Sequence, residues 1–449
     1  MDRFKKFRLP ATVIVALSLI FIIAVGTALL CIPGATRDGS IDFVDSLFTA
    51  VSAVCVTGLT IADTFNYWSY YGQAVIIILI QIGGLGFITI LSMIMLFTKK
   101  HTSLSERKLV MQSAGSSDFA GLKKLVLYIL IGTASFEFIG AFIMCFSFVP
   151  EYGWGLGIWQ AVFTSISAFC NAGFAITDAN GTVSLCAFVG DPVISLTVVL
   201  LIIIGGIGFF VWGDIVKNGI YVMKYTLHTK IVLTATAVLV FGGWLLFALI
   251  EWNNPLTIGN ENVGTKLLAT LFMSVTPRTA GFNSINYADM SGAGILLSDI
   301  LMFVGGSPGS TAGGVKTTTM VVFVFSAISV ARRRDEIHLY KRRLEKDAAI
   351  QSCAVICLYL FLTVASSIII LAAEGDAFTL EEVSFEVLSA VNTVGLSMGI
   401  TPHLGTLSKL VLMLLMTLGR VGGFTFILLF AGEKKPVTIS CVSEKIMVG

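Results

Sequence analysis

Seven stretches of this chain are apolar for longer than a helix needs to cross a bilayer. They run Leu9–Ile32, Ala74–Thr98, Leu125–Val149, Pro192–Trp212, Ile231–Ile250, Ile350–Ala373 and Leu410–Phe430. An eighth, Ile295–Ala331, is interrupted by a glycine-rich stretch. About 20 apolar residues suffice to span roughly 30 Å of hydrocarbon. Only 12% of the 449 residues are charged, about half the share of a soluble globular protein. Backbone polar groups at that depth find no water, so they must be satisfied inside helices. The sequence therefore predicts an all-α integral membrane protein with eight transmembrane helices. The longest polar connection is about twenty residues, which leaves room for no soluble domain. Any nucleotide-binding or regulatory domain must come from a partner. The first stretch reads as a span and not as a signal peptide, because no small-residue cleavage site and soluble domain follow it. Nothing in the composition points to nucleic acid; the partner it demands is the lipid bilayer.

Lysine and arginine concentrate in cytoplasmic loops. Five regions hold twenty-three of the twenty-nine: residues 3–8, 99–124, 217–230, 332–346 and the tail after Gly432. The four intervening connections hold only Arg37, Lys266, Arg278 and Lys409, and two basic residues, Lys316 and Arg420, fall inside spans. This alternation predicts eight crossings with both termini in the cytoplasm.

The four outer connections resemble one another. They read Asp45–Leu59, Trp159–Phe174, Leu268–Phe282 and Phe385–Leu396, and each ends on a glycine followed by Leu or Phe. The glycines are Gly58, Gly173, Gly281 and Gly395, spaced 115, 108 and 114 residues apart. A long fixed period means a repeated structural unit. Here the unit is span, short apolar run, glycine, span. The predicted divisions are residues 1–100, 101–217, 218–348 and 349–432, with a cytoplasmic tail at 433–449.

The short runs hold about ten to twelve residues, too few to cross a bilayer. They read as re-entrant segments that dip in from outside and return as extended chain. Such backbone is tolerated in a membrane only where it is buried in protein or lines water. Four such segments meeting on one axis satisfy that condition and form a central pore with pseudo-fourfold symmetry. Rings of backbone carbonyls can replace the hydration shell of a cation. Glycine permits the backbone angles this needs, and the carboxyl end of each short helix contributes partial negative charge. Acidic residues near the mouths (Asp42, Asp45, Asp63, Asp178, Glu381, Glu382, Glu386) either concentrate cations or cap short helices.

A second glycine cluster recurs in the following spans: Gln81–Phe87, Gly205–Phe209, Gly305–Thr317 and Gly419–Phe424. In the first two, small residues let helices approach closely. The third, with five glycines and a proline among Gly305–Lys316, cannot stay helical. It predicts a mid-membrane loop below the pore, a natural gate hinged at Gly305 and Gly306, with Lys316 bonded to carbonyls or a carboxylate. Arg420 is costly inside a span. It either faces the pore or the loop, or pairs with an acidic partner. Residues 332–343 form a basic run that suits an acidic partner surface or reflects charge bias alone.

These segments, together with Asn171-Ala-Gly-Phe174, Thr276–Asn283 and Gly419-Arg-Val-Gly422, resemble the Ktr/Trk/HKT superfamily of potassium transporters over essentially the whole chain. Eight spans and this length look most like the membrane subunits of bacterial Ktr uptake systems (the KtrB type). The resemblance implies four M1-P-M2 repeats and potassium-selective uptake through the cell membrane. It implies a selectivity filter at Val56-Thr57-Gly58, Asn171-Ala172-Gly173, Thr279-Ala280-Gly281 and Thr393-Val394-Gly395, with potassium at the carbonyls of the four glycines. Its gating loop falls on Gly305, Gly306, Ser307, Gly309, Ser310, Thr311, Gly313, Gly314 and Lys316, and its pore-facing arginine on Arg420. It implies a homodimer whose tails reach the dimer interface, and an octameric cytosolic ring of KtrA-type regulator-of-conductance subunits. That partner would carry ATP or ADP; the chain itself would hold no covalent cofactor. Sodium would activate uptake. The alternative is a sodium-coupled cation symporter with its own coupling site, which should show paired buried carboxylates. The spans hold few carboxylates, Glu137 being the main exception.

Overall fold

The computed structural model describes residues 11–39, 42–86, 119–177, 184–334 and 336–423. The amino-terminal basic residues, most of the 99–124 region, Asp178 and the tail at 433–449 lie outside them. The described chain is mostly helical. In order it holds α1 (Ala11–Leu30), α2 (Phe43–Cys55), α3 (Thr64–Tyr67), α4 (Tyr70–Leu85), α5 (Phe119–Phe169), α6 (Pro192–Gly206) and α7 (Phe209–Asn218). It continues with α8 (Leu227–Glu251), α9 (Val263–Val275), α10 (Gly292–Phe303), α11 (Thr317–Ala331), α12 (Lys346–Glu374), α13 (Leu380–Val391) and α14 (Thr406–Val421). The strands are a small hairpin, β1 (His338–Leu339) and β2 (Arg342–Arg343).

By length and hydropathy, three described helices can cross a membrane alone; α6 and α7, bent by 93° at their junction, pass the same test only when taken together, as a broken span or a re-entrant loop. Six shorter apolar helices accompany them. The break at Ile207–Gly208 departs from the continuous span that the apolar run 192–212 predicts. Its cause is local: Gly208 has φ 95°, which a side chain would resist. The same turn recurs. The helix ending at Leu85 is capped by Gly86 at φ 77°, and the helix ending at Val421 by Gly422 at φ 89°. Hydropathy does not register a backbone angle, so it runs straight through such breaks.

Helix starts follow capping chemistry. Asp42 accepts the Val44 N–H at 2.8 Å, Asp63 the Phe65 N–H at 3.0 Å and Asp191 the Val193 N–H at 2.7 Å. Thr379 and Glu382 form a reciprocal capping box, which satisfies two otherwise orphaned donors. Asp45 pairs with Lys409 at 3.2 Å, and buried Glu386 accepts from Thr401. Five of the seven mouth acids are thus occupied by caps, an ion pair or a buried hydrogen bond.

The short helices form the centre. α2 packs against α1 and α4, α9 against α8 and α10, and α13 against α12 and α14. The short helix of the second unit is the last part of α5, beyond a break at Gly153 (φ 80°). Contacts also run from unit to unit: α4 with α5, α6 with α9, α10 with α13, and α14 back to α2. The neighbour relations therefore close on themselves. Each short helix buries a phenylalanine (Phe48, Phe163, Phe272, Phe385) at no more than 1% exposure, anchoring it in the core.

Close approach at the next level depends on missing side chains. A Cβ on Gly83 would strike the Val54 carbonyl oxygen, on Gly205 that of Phe169, and on Gly419 that of Val391. Each carbonyl lies four residues before one of the repeat glycines. Replacing Gly83 or Gly205 by leucine should overpack these contacts and cost about 1–3 kcal/mol or more. Thermal unfolding in detergent should fall by several degrees, whereas Gly155→Ala, where a Cβ meets nothing within 4 Å, should leave it nearly unchanged.

Candidate ion pathway

Each short helix ends in the same way. The residue two before the repeat glycine is left-handed: Val56 at φ 56°, Asn171 at 60°, Thr279 at 62° and Thr393 at 52°. This conformation costs a non-glycine residue about 1–2 kcal/mol, and three of the four are β-branched. The turn is held by a backbone bond reaching back five residues. The Thr57 N–H donates to the Ser52 carbonyl at 2.9 Å, Ala172 to Ser167 at 2.7 Å, Gly281 to Thr276 at 3.3 Å and Val394 to Ser389 at 2.8 Å. In two units a serine hydroxyl also accepts the glycine N–H, Ser52 from Gly58 at 3.1 Å and Ser389 from Gly395 at 3.0 Å.

The four glycines that follow all have positive φ, at 96°, 72°, 74° and 95°, and they meet. The Cβ position of Gly58 lies 3.1 Å from the Cα of Gly173, that of Gly173 2.9 Å from Gly281, that of Gly281 3.0 Å from Gly395, and that of Gly395 2.9 Å from Gly58. The nearest atom in each case is the carbonyl oxygen before the neighbouring glycine, from Ala172, Ala280, Val394 and Thr57 in turn. Segments more than 100 residues apart thus form one closed ring of glycines interleaved with carbonyl oxygens. The carbonyls that adjoin the ring are those of the residues before the glycines. Side-chain oxygens nearby lack protein partners among the described residues: Thr57 Oγ1, Thr279 Oγ1, Thr393 Oγ1 and Asn171 Oδ1.

Residues 304–316 form the non-helical stretch that the glycine content predicts, between α10 and α11. It is tied to the broken helix of the second unit. The Ser307 N–H donates to the Gly206 carbonyl at 3.0 Å, Thr311 N–H to Gly205 at 3.3 Å, and Phe209 N–H to Gly309 at 2.8 Å. The helix break frees these groups and the loop satisfies them, as a water-poor interior requires. Thr311 Oγ1 also donates to the Phe169 carbonyl at 3.2 Å. On the other side, Asn392 Oδ1 accepts the Val315 N–H at 3.3 Å. The left-handed turns of the loop fall at Gly309 and Gly314. Gly306 sits where a Cβ would strike Ala312 Cβ, and Gly313 where one would strike Thr393 Oγ1. Ser307 and Ser310 tie the loop internally, Ser307 Oγ lying 3.0 Å from Thr317 Oγ1 and Ser310 Oγ donating to the Ser307 carbonyl at 2.7 Å.

Both basic residues that fall inside the predicted spans bond to carbonyls. Lys316 Nζ donates to Ala312 at 2.7 Å. Arg420 donates to the carbonyls of Thr311, Gly83 and, at 3.4 Å, Gly84. One guanidinium therefore bridges the loop to the first unit from a helix of the fourth, and no carboxylate among the described residues pairs with it. Its position answers to Gly84 and Gly206 of the matching clusters, the fourth unit carrying arginine where the others keep a small residue.

Two participants escaped sequence reasoning. Arg278, counted as an outer-loop charge, is buried to 3% exposure and donates to Thr236 Oγ1 at 3.2 Å. Asn392 anchors the loop. The available signal was shared: both sit three residues before a repeat glycine, where the other two units have cysteine.

Sequence and fold comparisons identify the family. The family profile described as "TrkH: Cation transport protein" matches residues 10–436. The "Potassium/sodium uptake protein NtpJ" of Enterococcus hirae is 40% identical over 100% of this chain and 99% of its own. The "Ktr system potassium uptake protein B" of Bacillus subtilis is 38% identical over 95% of this chain and 94% of its own. The solved structure of the potassium transporter TrkH from Vibrio parahaemolyticus superposes with a TM-score of 0.73, at 19% identity, over 96% of this chain and 87% of that one. This is a family of membrane cation transporters and not of enzymes, and the chain described here belongs to it.

Proposed function

We propose that the chain is the potassium-translocating subunit of a Ktr-type uptake system, crossing the cell membrane eight times as four M1-P-M2 repeats with both termini in the cytoplasm. The observation that carries this reading is the closed ring of Gly58, Gly173, Gly281 and Gly395. A dehydrated cation on its axis would be met by carbonyl oxygens from all four units, as selectivity by backbone carbonyls requires. The filter would comprise Val56-Thr57-Gly58 and its three counterparts, and the unpartnered hydroxyl and amide oxygens beside the ring suit a path through which ions and water pass.

The gate would be the loop at 305–316. Arg420 holds it to Gly83 and Gly84, so the closed arrangement is stabilised by charge-assisted bonds that a moving loop must break. A cytosolic nucleotide-binding ring of the KtrA type would supply that work, with ATP or ADP on the partner alone. The relative named as a Ktr system protein supports this assembly, and a homodimer of such subunits fits it. Sodium would act as an activator. Sodium as a transported or coupled ion is the second reading, favoured by the potassium/sodium uptake named for the Enterococcus relative.

Purified protein in liposomes should pass potassium well above sodium; equal flux of both would contradict a potassium-selective filter. Gly395→Ala, whose methyl would strike the Thr57 carbonyl oxygen, should lower potassium flux at least about tenfold, given a strained backbone worth roughly 1–3 kcal/mol. Unchanged flux would remove that ring from the pathway.

Arg420→Ala deletes hydrogen bonds to a charged donor, each worth about 1.5–3 kcal/mol, and should raise flux about tenfold or more. Deleting residues 305–314 should act in the same direction. Unchanged flux in both would make the loop a packing element.

A further inference from the structure

A cleft of about 470 Å³ lies between α8, α11 and the small hairpin. Its walls are apolar: Val238 on α8, and Met320, Val324 and Phe325 on α11. Val238 is 65% exposed, so the cleft opens outward from the bundle. Its inner end reaches Val304 and Thr317, the residues on either side of the loop at 305–316.

The other end is lined by Thr234 and by His338, Leu339 and Tyr340 of the hairpin, whose strands also carry basic residues. Leu339 and Tyr340 of the hairpin close it, and Tyr340 is latched to α8, its hydroxyl 2.5 Å from Thr234 Oγ1. The turn between the strands is only Tyr340 and Lys341, with φ of 47° and 61°. Left-handed angles at both central residues mark a tight primed turn, and neither residue is a glycine. The hairpin is thus a fixed cap. Arg332, Arg333 and Arg334 follow directly on the last residue of α11, and Lys341, Arg342 and Arg343 lie on the hairpin; all six are exposed. Of these six, only Arg343 has an ion-pair partner among the described residues, Glu336 at 2.8 Å.

From these features we infer that the cleft binds one anionic phospholipid of the cytoplasmic leaflet, an acyl chain between α8 and α11 and the phosphate among the arginines and Lys341. The spacing fits: Arg332, which caps α11, lies seven residues beyond Phe325, about 10 Å along a helix, so the chain lies below and the charge above. Basic pockets between helices on the cytoplasmic side are suited to anionic headgroups. An acidic protein surface would match the arginines and leave the apolar cleft unfilled; a phospholipid satisfies both.

The test is native mass spectrometry of the purified full-length protein titrated with phosphatidylglycerol and with phosphatidylcholine. The expected result is one retained phosphatidylglycerol per chain, at least about tenfold tighter than phosphatidylcholine. Ala235→Trp, filling the cleft, and the exposed set R332Q, R333Q, R334Q, K341Q and R342Q should each weaken retention by about tenfold or more. Equal binding of the two lipids overturns the site, as does undiminished phosphatidylglycerol binding in the exposed-charge variant, whose folding the substitutions do not threaten. Ala235→Trp that dissociates a dimer while phosphatidylglycerol binding persists overturns it too, and assigns the cleft to a second copy of the chain.

Discussion

A peptide carbonyl removed from water needs a positive partner, and the structure is arranged around the places where helical bonding cannot provide one. At the ends of four short helices the backbone turns left-handed and extended. Its amides bond backward to serine and threonine residues of their own helix, and its carbonyl oxygens are left around one ring of glycines. A side chain at any ring position would strike a carbonyl of the next unit. The glycines are therefore fixed by their neighbours as much as by their own angles, and the ring exists only when all four units are assembled.

The inner half departs from this near-symmetry. Three units bring a glycine against a carbonyl at the end of a short helix, and three turn at a glycine of high positive φ three residues later. The third unit replaces that turn with the loop at 304–316, which satisfies groups freed by the break in the second unit. The fourth replaces a glycine with Arg420. These two departures meet, since the guanidinium bonds the loop at Thr311. Symmetric backbone surrounds the axis, and asymmetric side chains hold the element beneath it.

Much of this was legible in the sequence. The repeat glycines could be found because four spaced copies share one pattern, and the loop because five glycines and a proline cannot hold a helix. Arg420 was suspect because a charge in a span is expensive. The helix break at Gly208 was not legible: hydropathy averages over it, and nothing in Gly-Gly-Ile-Gly announces a positive φ. Arg278 was misplaced because charge counting assumes that a basic residue between spans faces water. Inside the fold it donates to Thr236, which no local pattern connects to it. Where the loop's left-handed turns fall, at Gly309 and Gly314, was not legible either, because composition alone does not say which of five glycines takes a positive φ and which, like Gly305 and Gly306, sits at a close contact.

The central claim is that the ring of Gly58, Gly173, Gly281 and Gly395 is where the ion loses its water. Crystallographic anomalous scattering from protein equilibrated with thallium, a potassium substitute, tests it directly. The account predicts thallium density on the ring axis, among the carbonyl oxygens of Thr57, Ala172, Ala280 and Val394. Ordered thallium elsewhere in the protein, with none on that axis, would contradict it.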